Sequence, residues 1–267
     1  MIKKMVLPLI AICAIGLALA FNIDRKISPN HIYSKETGFA VVELFTSEGC
    51  SSCPPADALV AKIEKESDGK SIYILAYHVD YWDRLGWKDT FSDAKFSARQ
   101  NQYADWLNLK TVYTPQIVVN GSKEFVGSEE EILRKSISTE LAKPNTNNLE
   151  ISLNKSDEKK LILNYKTNQK TDGYNLIIAL VSPMATNKIL RGENKGKTLS
   201  HIQIVRQFET INLNGKSNGS ANITVTNAKQ EQVSEIIAFL QNNSTGRITA
   251  ASRLNITASE NLTAKSN

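Results

Sequence analysis

Cysteine, aromatic residues and runs of like charge are scarce in this chain. Of its 267 residues, three are cysteine and 7% are aromatic, and 32 Lys+Arg stand against 27 Asp+Glu. The basic residues form no block, so the net charge of +5 does not indicate nucleic-acid binding. Collagen-like repeats, coiled-coil repeats and multiple apolar spans are also absent from the sequence. These absences favour a globular protein.

The N-terminus has the pattern of an export signal. Two lysines precede an apolar run over residues 5–20, which ends in Ala-Leu-Ala. A basic start, an apolar middle and this ending are typical of a cleaved signal peptide. We therefore expect residues 1–20 to be removed and the protein to be periplasmic or secreted from a bacterium. The alternative is an uncleaved anchor, because a run of about 17 apolar residues can just span a bilayer.

Cleavage would remove Cys13 and leave Cys50 and Cys53 as the only cysteines. An even number of cysteines in an exported chain suggests a disulfide, and two cysteines have one possible pairing. A loop with two residues between the cysteines constrains the unfolded chain very little. The spacing therefore favours a redox role over a structural one.

Strand and helix patterns alternate in the first half. The predicted elements are a strand at 39–46, a helix at 54–66, a strand at 71–79, a helix at 92–108, two strands around 120–121 and a helix at 128–142. This order, βαβ-α-ββα, begins with a unit that is right-handed on a parallel sheet. Ser128 and Glu131 predict a capping box for the last helix. We expect a domain over 38–143.

The second half follows a polar linker at 143–148 and has the alternating pattern of short strands. It predicts a mostly antiparallel, β-sandwich-like domain over 148–255. We also expect a helix near 229–240, a last strand near 246–253 and a flexible tail at 256–267. The predicted fold class of the whole chain is α/β.

The Cys50-Ser-Ser-Cys53 segment joins the first strand to the first helix. A C-x-x-C beside a βαβ pattern is typical of a thioredoxin-like redox motif, in which Cys50 attacks a disulfide and Cys53 resolves the mixed disulfide. Pro54 predicts an extended Cys53 at the N-cap. Asp57, in the first turn, opposes a nearby thiolate. We therefore expect only a modest lowering of the Cys50 pKa.

Three further residues are candidates for the same chemistry. Thr114-Pro115 precedes the third strand, where thioredoxin folds have a cis-proline beside the disulfide, so we predict a cis bond and a substrate-positioning role. Glu43 lies seven residues before Cys50, and many thioredoxins bury a proton-accepting acid six residues before the first cysteine. The alternative for Glu43 is a solvent-facing edge position.

The loop after the second strand is rich in aromatic residues. Tyr81, Trp82 and Trp87 form a predicted apolar surface beside the disulfide, for a peptide substrate or as a cover, and core packing is the alternative. A metal site through His78, Asp80 and Asp83 is not expected, because no second cluster completes a coordination shell.

A glycine-rich segment at 192–198 resembles a phosphate-binding loop but has three residues between its glycines where that motif has four. We interpret it as a basic turn between strands that faces the first domain. Pairing of the following His201 with a cysteine for hydrolysis is a remote alternative.

Three segments resemble domain-of-unknown-function family 1223. They are VVELFTSEGCSSCPPAD at 41–57, HVDYWDRLGWKD at 78–89 and YTPQIVVNG at 113–121, with a later match at 191–206. The resemblance implies an exported bacterial protein with a thioredoxin-like fold, and it implies no activity or substrate.

Two hypotheses about function follow. The first is a thiol–disulfide oxidoreductase that acts on a protein or small thiol or disulfide and needs no metal or organic cofactor. The second is a binding protein with an inert disulfide. Exchange requires an exposed Cys50 sulfur beside a buried Cys53, whereas a disulfide covered by Trp82 and Trp87 favours the second hypothesis. Neither hypothesis involves nucleic acid or a membrane domain beyond the N-terminal segment.

Overall fold

The computed structural model describes residues 38–67, 69–157, 160–225 and 233–256, without the side chains of 155–157. The predicted signal peptide and residues 257–267 of the predicted tail lie outside these ranges. The described residues form a mixed α/β fold rich in strands. Its elements are β1 (Ala40–Thr46), α1 (Pro54–Glu66), β2 (Ile72–His78), a short 3-10 helix (Asp83–Leu85), α2 (Ala94–Leu107), β3 (Gln116–Val119), β4 (Lys123–Val126), α3 (Glu130–Leu141), β5 (Leu149–Asp157), β6 (Lys160–Thr167), β7 (Tyr174–Lys188), β8 (Thr198–Asn212), β9 (Asn218–Thr224), β10 (Glu235–Asn242) and β11 (Ile248–Asn255).

One large sheet contains strands from both halves of the chain. Its eight strands have the order β11-β10-β7-β8-β2-β1-β3-β4, and the remaining three form a second sheet in the order β5-β6-β9. The β1–β2 and β2–β8 pairs are parallel, and the other pairs are antiparallel. The predicted order βαβ-α-ββα in the first half is confirmed. The linker at 143–148 connects two segments that share the large sheet.

Alternating side chains of the central strands fill the cores on the two faces of the large sheet. Val42 and Leu44 pack with α1 and α3, whereas Phe45 and Tyr77 pack with α2. The three-stranded sheet covers β7 and β10 with a third apolar cluster. Among the described residues, no helix is long and apolar enough to cross a membrane.

The predicted helix near 229–240 is wrong over its described part. Residues 235–242 form β10, which lies between β7 and β11 in the large sheet. Ile236, Ala238 and Leu240 face one core, and Ile237 and Phe239 face the other. A strand buried on both faces has a continuous apolar run, which sequence periodicity does not distinguish from a buried helix.

The predicted capping box is also wrong. The helix α3 begins at Glu130, with Glu129 at the N-cap and no capping bond from a side chain. The N–H of Glu129 donates to the carbonyl of Val126 at 3.1 Å, so a backbone turn occupies the residues around Ser128. The N-cap therefore lies one residue after Ser128, the N-cap that the Ser128–Glu131 pattern predicts.

A buried ion pair lies between the large sheet and α2. Glu43 and Arg99 are buried, and the guanidinium donates to both carboxylate oxygens, at 2.5 and 2.9 Å. The hydroxyl of Tyr103 also donates to Glu43, and Gln241 accepts from Arg99 at 3.2 Å. The alternative of a solvent-facing Glu43 is therefore wrong. Removal of one partner would leave the other charge buried without compensation.

We expect Arg99→Met to destabilise the protein by about 3–5 kcal/mol, because Glu43 would be left as an unpaired buried carboxylate. Urea unfolding would measure this loss. The matched control is Arg134→Met, which breaks the exposed contacts of Arg134 with Glu66 and Glu130 and should have a much smaller effect. Equal losses in the two variants would contradict the importance assigned to the buried pair.

Candidate functional site

The two cysteines form a disulfide in the turn between β1 and α1. Their Cα atoms lie 5.4 Å apart, and the N–H of Cys53 donates to the carbonyl of Cys50. Cys53 is the N-cap of α1 and Pro54 is its first residue, as predicted. Cys53 has helical rather than extended geometry (φ −77°, ψ −36°), so that expectation is wrong. The backbone turn from Cys50 outweighs the pre-proline preference.

Both cysteines are fully buried, whereas exchange led us to expect an exposed Cys50. Ser51 and Ser52 between them are exposed, and the Ser52 hydroxyl lies 3.4 Å from the Cys50 sulfur. On the other side of the turn, a Cβ placed on Gly49 would lie 3.1 Å from the Cβ of Trp82. The oxidised sulfur atoms are therefore enclosed rather than presented to solvent.

The Thr114–Pro115 bond is cis, as predicted, and lies beside the disulfide turn. The Ser52 hydroxyl is 3.5 Å from the Thr114 carbonyl. Trp82 donates from its indole N–H to the Thr114 hydroxyl at 2.8 Å. The structure thus brings together the cysteines, Thr114, Pro115 and Trp82, which the sequence singled out separately.

The other two aromatic candidates occupy separate positions in the loop. The hydroxyl of Tyr81 donates to Gln100 at 3.2 Å, and the indole N–H of Trp87 donates to Glu48 at 2.8 Å. Both aromatic side chains are partly exposed. Trp87 therefore holds a carboxylate of the turn before Cys50, while Tyr81 is bonded to α2.

Residues 189–197, between β7 and β8, form a turn that we call the clamp. The buried side-chain amide of Asn194 donates to the carbonyls of Glu48 and Cys50, both at 2.9 Å. Glu193 accepts from the N–H of Ser51 at 3.1 Å. The clamp overlaps the segment at 192–198, which the sequence predicts as a turn that faces the first domain. It fixes the backbone of the cysteine turn from the second half of the chain.

Five buried ionisable side chains lie next to the cysteine turn: Glu48, Asp57, His78, Asp89 and His201. The His78 Nδ1 is 2.7 Å from the Asp89 carboxylate, and the two histidine rings are 4.6 Å apart between centroids. Asp89 also accepts from the N–H of Glu48 at 2.8 Å. Burial opposes ionisation of Asp89, but the charge and hydrogen bond of His78 outweigh it and lower the pKa of Asp89. Perturbed, buried groups of this kind concentrate at functional sites.

His201 lies between two carboxylates. Its Nδ1 is 3.4 Å from Asp57 and its Nε2 is 3.6 Å from Glu48. Both distances are within reach of an ion pair, but neither contact is aligned as a hydrogen bond. Burial disfavours the charged ring, yet the two carboxylates outweigh burial and raise the pKa of His201 to about 10. The imidazole is therefore charged at neutral pH.

Glu43, the remaining catalytic candidate, makes its hydrogen bonds with residues outside the cysteine turn. The carboxylate of Glu43 is bonded to Arg99 and Tyr103 on the α2 face of the sheet, whereas α1 packs on the opposite face. These contacts give no support to the predicted proton transfer between Glu43 and Cys53. Glu43 is buried like the proton-accepting acid of thioredoxins, but its carboxylate lies on the opposite face of the sheet from α1.

Asp80 and Asp83, the two acids considered with His78 as metal ligands, bind hydroxyl groups rather than His78. Asp80 accepts from Ser97 at 2.5 Å, and Asp83 accepts from Ser92 at 2.8 Å. In the described ranges, no group of three or more His, Cys, Asp or Glu side chains has an arrangement that holds a metal ion.

A family model described as "Protein of unknown function (DUF1223)" matches residues 41–241. The matched segment spans most of the chain and includes the cysteine turn and the clamp. The chain belongs to the DUF1223 family. The resemblance seen in the sequence is thereby confirmed.

Among solved structures, a crystal structure of a protein from Agrobacterium tumefaciens is similar to this DUF1223 chain. The two share 25% identity with a TM-score of 0.65, over 84% of this chain and 96% of the other. A β-glucosidase from Kluyveromyces marxianus also matches, with 13% identity and a TM-score of 0.22 over 48% of this chain and 17% of its own, and this weak likeness carries no argument. The comparison with curated proteins found no match.

Sequence reasoning did not assign the residues that the second half supplies. Asn194 and His201 are 144 residues from their partners Cys50 and Asp57 in the sequence, and neither belongs to a local motif that points to them. The one usable signal was the glycine-bounded turn at 192–196 that lies next to a histidine-bearing strand.

We expect stability to fall as pH rises from about 6.5, the usual pKa of an unfolded histidine, to about 10, the pKa of folded His201. Below both values the ring is protonated in both states, so its contribution is fully present. Above the folded value the contribution is lost. Urea midpoints across this range should fall less in His201→Asn than in wild-type protein. Parallel curves for the two proteins would contradict the charge assigned to His201.

Proposed function

We propose that this DUF1223 protein is a thiol–disulfide oxidoreductase with a thioredoxin-like N-terminal half. Cys50 is the nucleophile and Cys53 the resolving thiol, and the partner is a protein or small molecule with a thiol or disulfide. The cysteine pair is itself the redox centre. The carrying observation is the disulfide at the N-terminus of α1 beside the cis Thr114–Pro115 bond.

The order of elements supports this proposal. A βαβ unit, a helix and then two strands and a helix place the cysteine turn and Pro115 at neighbouring positions. A Cβ placed on Gly127 would contact both Ala56 of α1 and Pro115, at 3.1 and 3.2 Å. The proline therefore lies beside the first turn of α1, where a substrate backbone would approach the disulfide.

The buried charges also favour chemistry over a purely structural disulfide. A bridge across two intervening residues restricts the unfolded chain only slightly, so it adds little stability. Glu48, Asp57 and His201 would not be needed around such a bridge, since buried ionisable groups are expensive to desolvate. Proton-handling groups are, by contrast, useful wherever thiols form and break disulfides.

Burial of Cys50 requires that exchange be gated. The clamp holds the carbonyl of Cys50 through Asn194, and the Ser52 hydroxyl lies against the sulfur. Ser52 is exposed, so its movement meets no packed core. We propose that a partner reaches Cys50 when Ser52 and the clamp move away from the turn.

A binding protein with an inert disulfide is the second candidate, and the absence of exposed area on both cysteines favours it. Trp82 encloses the turn from one side and the clamp from the other. This candidate shares the export proposal, in which the protein is periplasmic or secreted, because disulfides persist in oxidising compartments.

The reduction potential of the cysteine pair separates the two candidates. Equilibration of the purified protein in graded thiol buffers should give a value between about −120 and −270 mV, the range of exchange catalysts. Cys50→Ser should abolish exchange with a dithiol. A potential below about −300 mV is typical of structural bridges and would favour the binding protein.

The gate has its own test. Asn194→Ala removes two hydrogen bonds from the cysteine turn, each of which contributes about 1 kcal/mol, so reduction by a small thiol should accelerate at least about tenfold. Lys195→Ala, which changes an exposed side chain in the same turn, is the matched control. Equal rates for Asn194→Ala, Lys195→Ala and wild-type protein would exclude the clamp as a gate.

A further inference from the structure

Asp57 is a buried carboxylate that borders Cys53. The two residues lie one turn apart on α1, and the N–H of Asp57 donates to the Cys53 carbonyl at 3.1 Å. Helix positions four apart have Cβ atoms about 5–6 Å from each other. Asp57 is 5% exposed and Cys53 is fully buried, so both side chains are sheltered from solvent.

The two carboxylate oxygens of Asp57 face different groups. Oδ2 accepts from the Thr46 hydroxyl at 3.1 Å, and Oδ1 faces Nδ1 of His201 at 3.4 Å. Both ring nitrogens of His201 are buried without a hydrogen-bond partner. Buried polar groups of a purely structural side chain are normally satisfied, so this histidine needs another explanation.

Successive side chains on one face of β8 contact different turns of α1, beginning with His201 at Asp57. Two residues later, Gln203 donates to Glu64, which lies two helical turns beyond Asp57 on α1. The contact between His201 and Asp57 is therefore part of a continuous β8–α1 interface. Packing alone does not require an ionised ring at this position, because Gln203 makes the corresponding contact without one.

We infer that Asp57 and His201 form the proton shuttle of the disulfide, in which His201 holds a proton and Asp57 transfers it to the Cys53 sulfur. The inference rests on the proposed exchange activity. It assigns to Asp57, one turn after Cys53, the role that the sequence offset had predicted for Glu43.

The step balances with a dithiol partner as reductant. A partner thiolate attacks the Cys50 sulfur, the Cys50–Cys53 bond breaks, and its electron pair remains on Cys53. The Cys53 thiolate takes a proton from Asp57, which Nδ1 of His201 has supplied. The second partner thiol then displaces Cys50, so the partner becomes a disulfide and Cys50 a thiol. The partner loses two protons in total. One of them protonates the Cys50 sulfur, and the other restores the proton that His201 gave to Cys53 through Asp57.

Other charges face this pair and modulate it. Glu48 approaches Nε2 of His201, and the His78–Asp89 pair lies against the His201 ring. The guanidinium of Arg206 lies 5.0 Å from the centre of Phe91, whose ring also contacts His201. These groups remain unchanged in the variants below, so the measured differences belong to the shuttle.

The pKa of Cys53 can be measured in the Cys50→Ser chain from the ultraviolet absorbance of its thiolate. His201→Asn in this background removes the nearby positive charge and should raise the Cys53 pKa by at least about one unit, a tenfold loss of thiolate at fixed pH. In the chain with both cysteines, the same substitution should slow opening of the disulfide by a small dithiol at least about tenfold.

Gln203→Ala is the matched control, because it loosens the β8–α1 contact without changing the charge beside Cys53. It should leave both measurements at their starting values. If His201→Asn does not fold, as judged by circular dichroism, Asp57→Asn replaces it, since the amide keeps the shape but carries no proton, and it too should slow opening.

The outcomes distinguish the inference from the proposed function. If wild-type protein exchanges with the dithiol but His201→Asn behaves like Gln203→Ala, the shuttle is wrong and the oxidoreductase proposal stands. If wild-type protein does not exchange at all, the proposed function fails and the shuttle fails with it.

Discussion

The long β7–β8 hairpin determines which residues meet at the disulfide. Its strands, Tyr174–Lys188 and Thr198–Asn212, are 15 residues each and lie within the large sheet between β10 and β2. The clamp connects the end of β7 to the start of β8, and His201 lies near the start of β8. The outer edges of the hairpin pair with β10 over Tyr174–Val181 and with β2 at Ile204, and the β7–β8 pairs alone extend from there to the clamp. The environment of the cysteine turn in the first half is thus completed by residues from the second.

The balance of charge at the disulfide follows from this arrangement. Asp57 in the first turn of α1 stabilises the helix but opposes a thiolate at the cysteine turn. Glu48 and Glu193 add negative charge near the same turn. The imidazolium of His201 offsets part of this charge, and it does so from beside Asp57. A cysteine in this setting gains less from the helix N-terminus than one without acidic neighbours.

Local patterns predicted most of the first half but not the packing of the second half onto it. The βαβ unit and the helix beginning at Pro54 depend on short-range signals, and both are present. The cis bond before Pro115 is also present, and it was predictable from its place before the third strand. The apolar run at 235–242 is continuous and does not distinguish a strand from a helix, and only its place between β7 and β11 makes it a strand. Asn194 reaches Cys50 across 144 residues, a contact that composition and periodicity do not encode.

Burial of the disulfide and ionisation of its neighbours constrain each other. A charged pair such as Asp57 and His201 is stable in a dry site only while both partners stay in place, because either one alone would pay the full desolvation penalty. Movement of β8 away from α1 would therefore separate charges as well as expose apolar surface. Movement of the exposed Ser52 or of the clamp would not separate Asp57 from His201. Access to Cys50 is thus easiest through these two surface elements, with β8 and the Asp57–His201 pair remaining in position.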